Sequence, residues 1–292
     1  MKRICILSGG GCKGYAQAVV LKKLEKDHGP LYNFYDLVCG SSVGAINGSM
    51  LASGKITMDR LESIYDPMIK DVFKKRFLPH VPMYDRKNFI KIWCDEIGMI
   101  KMNECKTKMQ ITSVNLCDKK NHFFKSWTKD GEQYLCSEVL KSFAAPLFFG
   151  TLIDEPNKCV WMDGGMGVGN IPIAYAIVEA QLLWPKDEWF FDIIGSGYQD
   201  QSIPFSEAKK FKVIRQLVQF FDFEDAGLAR EQVRQEQVGA ITQLAKSSSK
   251  ISFRYWDIVI PKNIDKLDGV KYLAQYKRIG LEMAKKPLIM IG

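Results

Sequence analysis

Twice within the first 55 residues a short apolar run breaks into glycine and serine and then resumes with helical spacing. The first unit reads RICIL, SGGGCKG, YAQAVVLKKLEK, and the second DLVCG, SSVGA, INGSMLASGK. A run as short and apolar as RICIL suits a strand buried on both faces of a parallel sheet. In the segment that follows, Ala16, Val19, Val20 and Leu24 fall on one helical stripe, with lysines on the other face. In the second unit Ala45, Gly48 and Ala52 share one side of a helix, allowing close approach to a neighbour, and Gly54 suits a C-terminal cap. Two strand–helix units joined by tight turns require an α/β fold, a mostly parallel sheet covered by helices.

Later segments fit this architecture. MQITSVNL, NHFFKSW, EWFFDIIGSG and RYWDIVIP read as strands. From Ser206 to Lys246 the pattern is amphipathic and helical, with Ile214, Leu217, Val218 and Phe221 on one stripe and a break at Gly227. GVKYLAQYKRIGLEMAKK reads as a closing helix. No linker rich in proline, serine and glycine divides the chain, so one domain is expected over residues 1–292.

The glycine loop SGGGCKG satisfies G-x-G-x-x-G through Gly9, Gly11 and Gly14. A dinucleotide site of that pattern needs an acid at the tip of the second strand, where this chain has Cys39-Gly40-Ser41. A P-loop needs Gly-Lys-Ser/Thr, but Lys13 is followed by Gly14 and Tyr15. What remains is an oxyanion hole, in which consecutive glycines turn backbone N–H groups toward one point at a helix N-terminus. A tight turn without a ligand is the plainer alternative.

Gly40-Ser41-Ser42-Val43-Gly44 fits the nucleophile elbow G-x-S-x-G with Ser42 at its centre. A serine hydroxyl needs a base, usually histidine, and this chain has three: His28, His80 and His122. None lies late in the chain, where the α/β-hydrolase order would place it. Ser42, Asp95 and His122 are formally in triad order, but lysines flank His122 and suit a surface position. A buried carboxylate bonded directly to the serine could act instead. Asp163, after the apolar run CVWM and before GGMGVG, is the leading candidate, although Asp-Gly is also a common turn.

GGGCKG, GSSVGA and DGG, in this order, resemble the three signatures of patatin-like phospholipases, lipid acyl hydrolases with a Ser–Asp dyad. YDLVCGSSVGAINGSMLASGK resembles the family's elbow block, SFAAPLFF its Ala-Pro segment, and DGGMGVGNIPIAYA its aspartate block. These features fall within residues 4–198, and beyond residue 205 only helical character is evident. The resemblance implies a three-layer α/β/α fold, Ser42 as nucleophile, Asp163 as base, and an oxyanion held by backbone amides of Gly9, Gly10, Gly11 and Cys12. Lys13 stands where the family has arginine, and Gly14 follows it; there they would support the loop or contact a head group. Ser8 replaces an acid often found before the glycines. The implied substrate is a phospholipid, lysophospholipid or other glycerolipid, with no cofactor or metal.

The net charge of +8 comes from scattered basic clusters of the kind that usually form solvated surface. A basic face would favour anionic phospholipid or nucleic acid, and FKKRFL (residues 73–78) alternates aromatics with cations, as membrane-surface segments and ordinary surface both do. PLFFGTLI suits an acyl channel or an ordinary core segment. The eight cysteines show no metal-binding spacing and fit a reducing cytoplasm. ICIL is too short for a signal peptide, and no run approaches a membrane span. A cytoplasmic protein, peripheral at membranes, is therefore expected, with nucleic acid not expected as a partner. Two other readings stand beside the hydrolase: a phosphate- or nucleotide-binding module built on the glycine loop, and a catalytically silent lipid-binding relative. A regulatory ligand or a homo-oligomer surface is a further expectation for residues 206–292.

Overall fold

The computed structural model describes residues 1–76, 82–166, 168–199, 206, 209–210 and 228–292. The stripe from Ile214 to Phe221, Gly227, His80 and the last two residues of FKKRFL lie outside them.

In chain order the elements are β1 (Lys2–Leu7), α1 (Gly14–His28), α2 (Leu31–Phe34), β2 (Leu37–Ser41), α3 (Val43–Ser53), α4 (Met58–Val72) and α5 (Arg86–Glu96). Then come β3 (Lys108–Asn115), β4 (Lys120–Lys125), α6 (Leu135–Ser142), β5 (Leu152–Asp154), β6 (Cys159–Asp163), α7 (Ile173–Leu183) and β7 (Trp189–Ile194). The C-terminal part supplies α8 (Leu228–Ser247), β8 (Ile251–Trp256), α9 (Leu273–Met283) and β9 (Ile289–Ile291).

Nine strands among the described residues form one sheet. Its centre is parallel, β3-β2-β1-β7-β8, with β9 antiparallel against β8. Side chains alternate across β1: Cys5 and Leu7 join the core under α1, α3, α4, α5, α6 and α9, while Ile4 and Ile6 join the core under α7 and α8. All four are fully buried, as a strand covered on both faces demands. The layers are thus helix, mostly parallel sheet, helix.

The register at β3 positions the site. Residues Lys108–Thr112 pair with β2, and Ser113–Asn115 pair with β6 running the opposite way. β4 occupies the other edge of β3 over Gln110–Asn115, so β2 and β6 must share one edge and meet end to end. Their facing termini are Ser41, opposite Thr112, and Asp163, opposite Ser113.

Two expectations need correction. The late strand runs over Ile251–Trp256 and not through the whole of RYWDIVIP. Buried Asp257, whose carboxylate takes the amides of Gly197 (2.9 Å) and Ile258 (3.0 Å), interrupts the ladder, which resumes only as a bridge between Tyr198 and Val259. The closing α-helix starts at Leu273, after a 3-10 turn over Val270–Tyr272.

Candidate active site

Ser42 sits between the end of β2 and the first turn of α3 with φ 53° and ψ −123°, a left-handed conformation that is strained for any side chain bearing a Cβ. Its neighbours explain how the turn closes. A methyl group on Gly44 would lie 2.6 Å from the carbonyl carbon of Leu7, and one on Gly40 would lie 2.8 Å from Cα of Ala45. Both glycines are required by backbone packed against backbone. The strain is held from α6: Ser42 N–H donates to Ser142 Oγ (2.9 Å), and that hydroxyl donates to the Thr112 carbonyl (2.6 Å).

The end-to-end meeting of β2 and β6 brings Asp163 to this turn. Ser42 Oγ donates to Asp163 Oδ2 at 2.7 Å, and both residues are buried, 9% and 7% exposed. The other carboxylate oxygen accepts the Gly165 amide at 2.6 Å, and Asp163 N–H donates to the Ala144 carbonyl at 3.1 Å. The carboxylate is therefore oriented from both sides. Asp95 and His122 are not gathered here: exposed Asp95 pairs with Lys91 (2.8 Å), while His122 pairs with Asp118 (2.7 Å). His28 stacks on Phe34 at 4.2 Å.

The glycine loop lies over the dyad. A methyl group on Gly9 would sit 3.2 Å from Ser42 Cβ and 2.5 Å from Asn170 Oδ1. The four loop amides differ in availability. Gly9 N–H donates to the Asn170 carbonyl (2.9 Å) and Cys12 N–H to the Leu267 carbonyl (2.7 Å), so neither is open to an oxyanion. Only the Gly10 and Gly11 amides are without a hydrogen-bond partner in the loop. Burial pushes the Cys12 thiol well up, so it stays protonated and unreactive.

Lys13 is buried and forms an ion pair with Asp265, whose second oxygen accepts Gln199 Nε2 at 2.9 Å. That pair takes the Lys13 ammonium group out of solvent and ties the loop to residue 265. Gly14 packs against Val43 and Tyr65, where a Cβ would collide with both. Ser196 Oγ donates to the Gly9 carbonyl (2.9 Å), and Gln17 Nε2 donates to the Ser8 carbonyl (2.8 Å). Asp265 and Leu267 carry no signal in the sequence, and Ser142 and Ser196, although inside SFAAPLFF and EWFFDIIGSG, show no sign there of these contacts: each meets its partner from 100 or more residues away. Among the described residues no group of three or more His, Cys, Asp or Glu is arranged to hold a metal.

The family model for patatin-like phospholipases matches residues 5–177, more than half of the chain. The chain belongs to the patatin-like phospholipase family. Among its relatives in that family is the cGAMP-activated phospholipase of Pseudomonas aeruginosa, 26% identical over 208 residues, which covers 66% of this chain and 61% of the relative. The cGAMP-activated phospholipase of Vibrio cholerae is 28% identical over 200 residues, 58% of this chain and 55% of the relative. The calcium-independent phospholipase A2-gamma of Rattus norvegicus is 28% identical over 209 residues, covering 63% and 26% respectively. The alignments thus span about three-fifths or less of these proteins' lengths. The structure of VipD from Legionella pneumophila is similar with a TM-score of 0.44 and 11% identity, covering 97% of this chain and 66% of that one. Among the described residues no helix is long and apolar enough to cross a membrane.

Proposed function

We propose that this chain hydrolyses carboxylic esters of glycerolipids by a Ser42–Asp163 dyad. The observation that carries the reading is the 2.7 Å hydrogen bond from Ser42 Oγ to Asp163 Oδ2, on a strained strand-to-helix turn. Asp163 takes the hydroxyl proton as Ser42 Oγ attacks the ester carbonyl carbon. The carbonyl oxygen becomes an oxyanion, held by the Gly10 and Gly11 amides at the N-terminal end of α1. Collapse breaks the C–O bond, Asp163 returns its proton to the leaving alcohol, and an acyl-enzyme remains. Asp163 then deprotonates a water, which releases the fatty acid and restores Ser42. A carboxylate suffices as base because the serine proton is already directed at it.

The glycerolipid substrate is supported by family membership and by the relatives' names. The test is fatty-acid release from phospholipid vesicles and turnover of a soluble p-nitrophenyl ester. Because the bacterial relatives are named for activation by cGAMP, each assay is run with and without it. Ser42→Ala and Asp163→Asn should each lower kcat roughly 10²–10⁴-fold while remaining folded. Substantial turnover by Asp163→Asn, or none by the unsubstituted chain in any arm, would overturn the reading.

A further inference from the structure

Beside the dyad lies a surface that the hydrolytic scheme does not use. Three stretches meet there through backbone hydrogen bonds: Arg76 N–H to the Met83 carbonyl (2.9 Å), Met83 N–H to Leu147 (3.4 Å), and Tyr84 N–H to Phe148 (2.8 Å). The third stretch begins at the dyad itself, since the Ala144 carbonyl accepts the Asp163 amide. From there the chain makes a tight turn in which the Ala145 carbonyl accepts the amides of Phe148 (3.1 Å), Phe149 (2.8 Å) and Gly150 (3.0 Å). Arg86 pins the far side of the turn by donating to the carbonyls of Gly150 and Thr151.

This turn separates its side chains by polarity of environment. Phe149 is buried against the rings of Phe73, Tyr84 and Phe143. Leu147, at the tip, is 65% exposed, and Ile153 on the following strand is exposed to the same degree. Lys74 and Lys75 are exposed on the adjoining stretch and form no ion pair, whereas the neighbouring Arg76 is matched by Asp85 at 3.6 Å. An apolar tip on a backbone-braced turn, flanked by unpaired lysines, has the chemistry of an interfacial membrane contact.

We infer that this face seats the protein on an anionic phospholipid bilayer, with Lys74 and Lys75 against the head groups and Leu147 entering the acyl boundary. The inference rests on the reading of the site as a glycerolipid hydrolase. It adds which side faces the lipid, and it accounts for an exposed leucine three residues from the dyad's own hydrogen-bond partner. Opposite charge selects an anionic bilayer over an acidic protein because the lysines flank an apolar tip, which needs a hydrocarbon phase to enter.

The test is co-sedimentation with vesicles of phosphatidylcholine alone or mixed with phosphatidylserine, in a Ser42→Ala background so that binding is read without hydrolysis. The parent should bind the mixed vesicles more tightly, and added salt should weaken that preference. Each lysine near an anionic surface strengthens partition roughly fivefold, so Lys74→Glu/Lys75→Glu should lose more than tenfold on mixed vesicles. Leu147→Ser should weaken binding to both vesicle types. Circular dichroism and thermal unfolding check each variant's fold, and either variant alone suffices if the other does not fold. Binding of both variants within twofold of the parent, or a parent that binds polyglutamate but not vesicles, would overturn the inference. Failure of the hydrolase reading would show separately, as no p-nitrophenyl ester turnover by the unsubstituted chain.

Discussion

At Ser42 the backbone is held in a conformation that serine avoids, and the residues around it are chosen by that constraint. Gly44 has no room for a side chain, because a methyl group would enter the Leu7 carbonyl. Gly44→Ala should therefore destabilise the fold by about 1–3 kcal/mol, read as a lower urea midpoint. Ser142 acts differently, by giving the buried Ser42 amide an acceptor. Ser142→Ala leaves that amide unpaired, so it should lose about 1–3 kcal/mol of stability and lower kcat more than it raises KM. The G-x-S-x-G elbow was legible in the sequence because its steric demands are local. Ser142 opens the SFAAPLFF segment, but its bond to Ser42 was not legible, since the two residues lie 100 positions apart and meet only through folding.

Among the elements, the segment after β8 has the least evident sequence and a large structural part. Asp265 pairs with Lys13, Leu267 accepts the Cys12 amide, and Tyr84 donates to Asp268 (2.7 Å), so residues 265–268 brace the glycine loop. Removing one partner of a buried ion pair leaves an uncompensated charge. Lys13→Met and Asp265→Asn should each cost about 3–5 kcal/mol, and Lys13→Met/Asp265→Leu should recover most of that loss in thermal unfolding. Recovery of stability without recovery of ester turnover would separate the pair's part in holding the loop from its part in the fold. The sequence left Lys13 open between loop support and head-group contact, because its partner lies 252 residues away.

Over the whole molecule, the helices pack on two faces of one sheet, and some of that packing takes charge out of water. Glu138 is fully buried in α6, bonded to Lys141 (2.9 Å), with Oε2 unpartnered. Burial outweighs the lysine and raises its carboxyl above the ordinary 4.5. The folded state then keeps a proton that the unfolded chain releases, so this group's contribution to stability falls as pH rises from about 4.5 through the raised value. Glu138→Gln should remove that slope, and urea unfolding of both proteins between acid and neutral pH would show it.

The sequence by itself determined what depends on neighbours along the chain: the strand–turn–helix units, the glycines that tight turns require, and the scarcity of histidine that directs attention to carboxylates. Tertiary structure decided which carboxylate lies within hydrogen-bonding distance of Ser42, because β3 pairs with β2 through Thr112 and with β6 from Ser113, bringing together Ser42 and Asp163, 121 residues apart in the chain. It also decided that the Gly9 and Cys12 amides are taken while those of Gly10 and Gly11 are open, since their partners, Asn170 and Leu267, arrive from distant segments. Strand register and loop bracing are long-range hydrogen-bond choices, and a local pattern of residue types does not encode them.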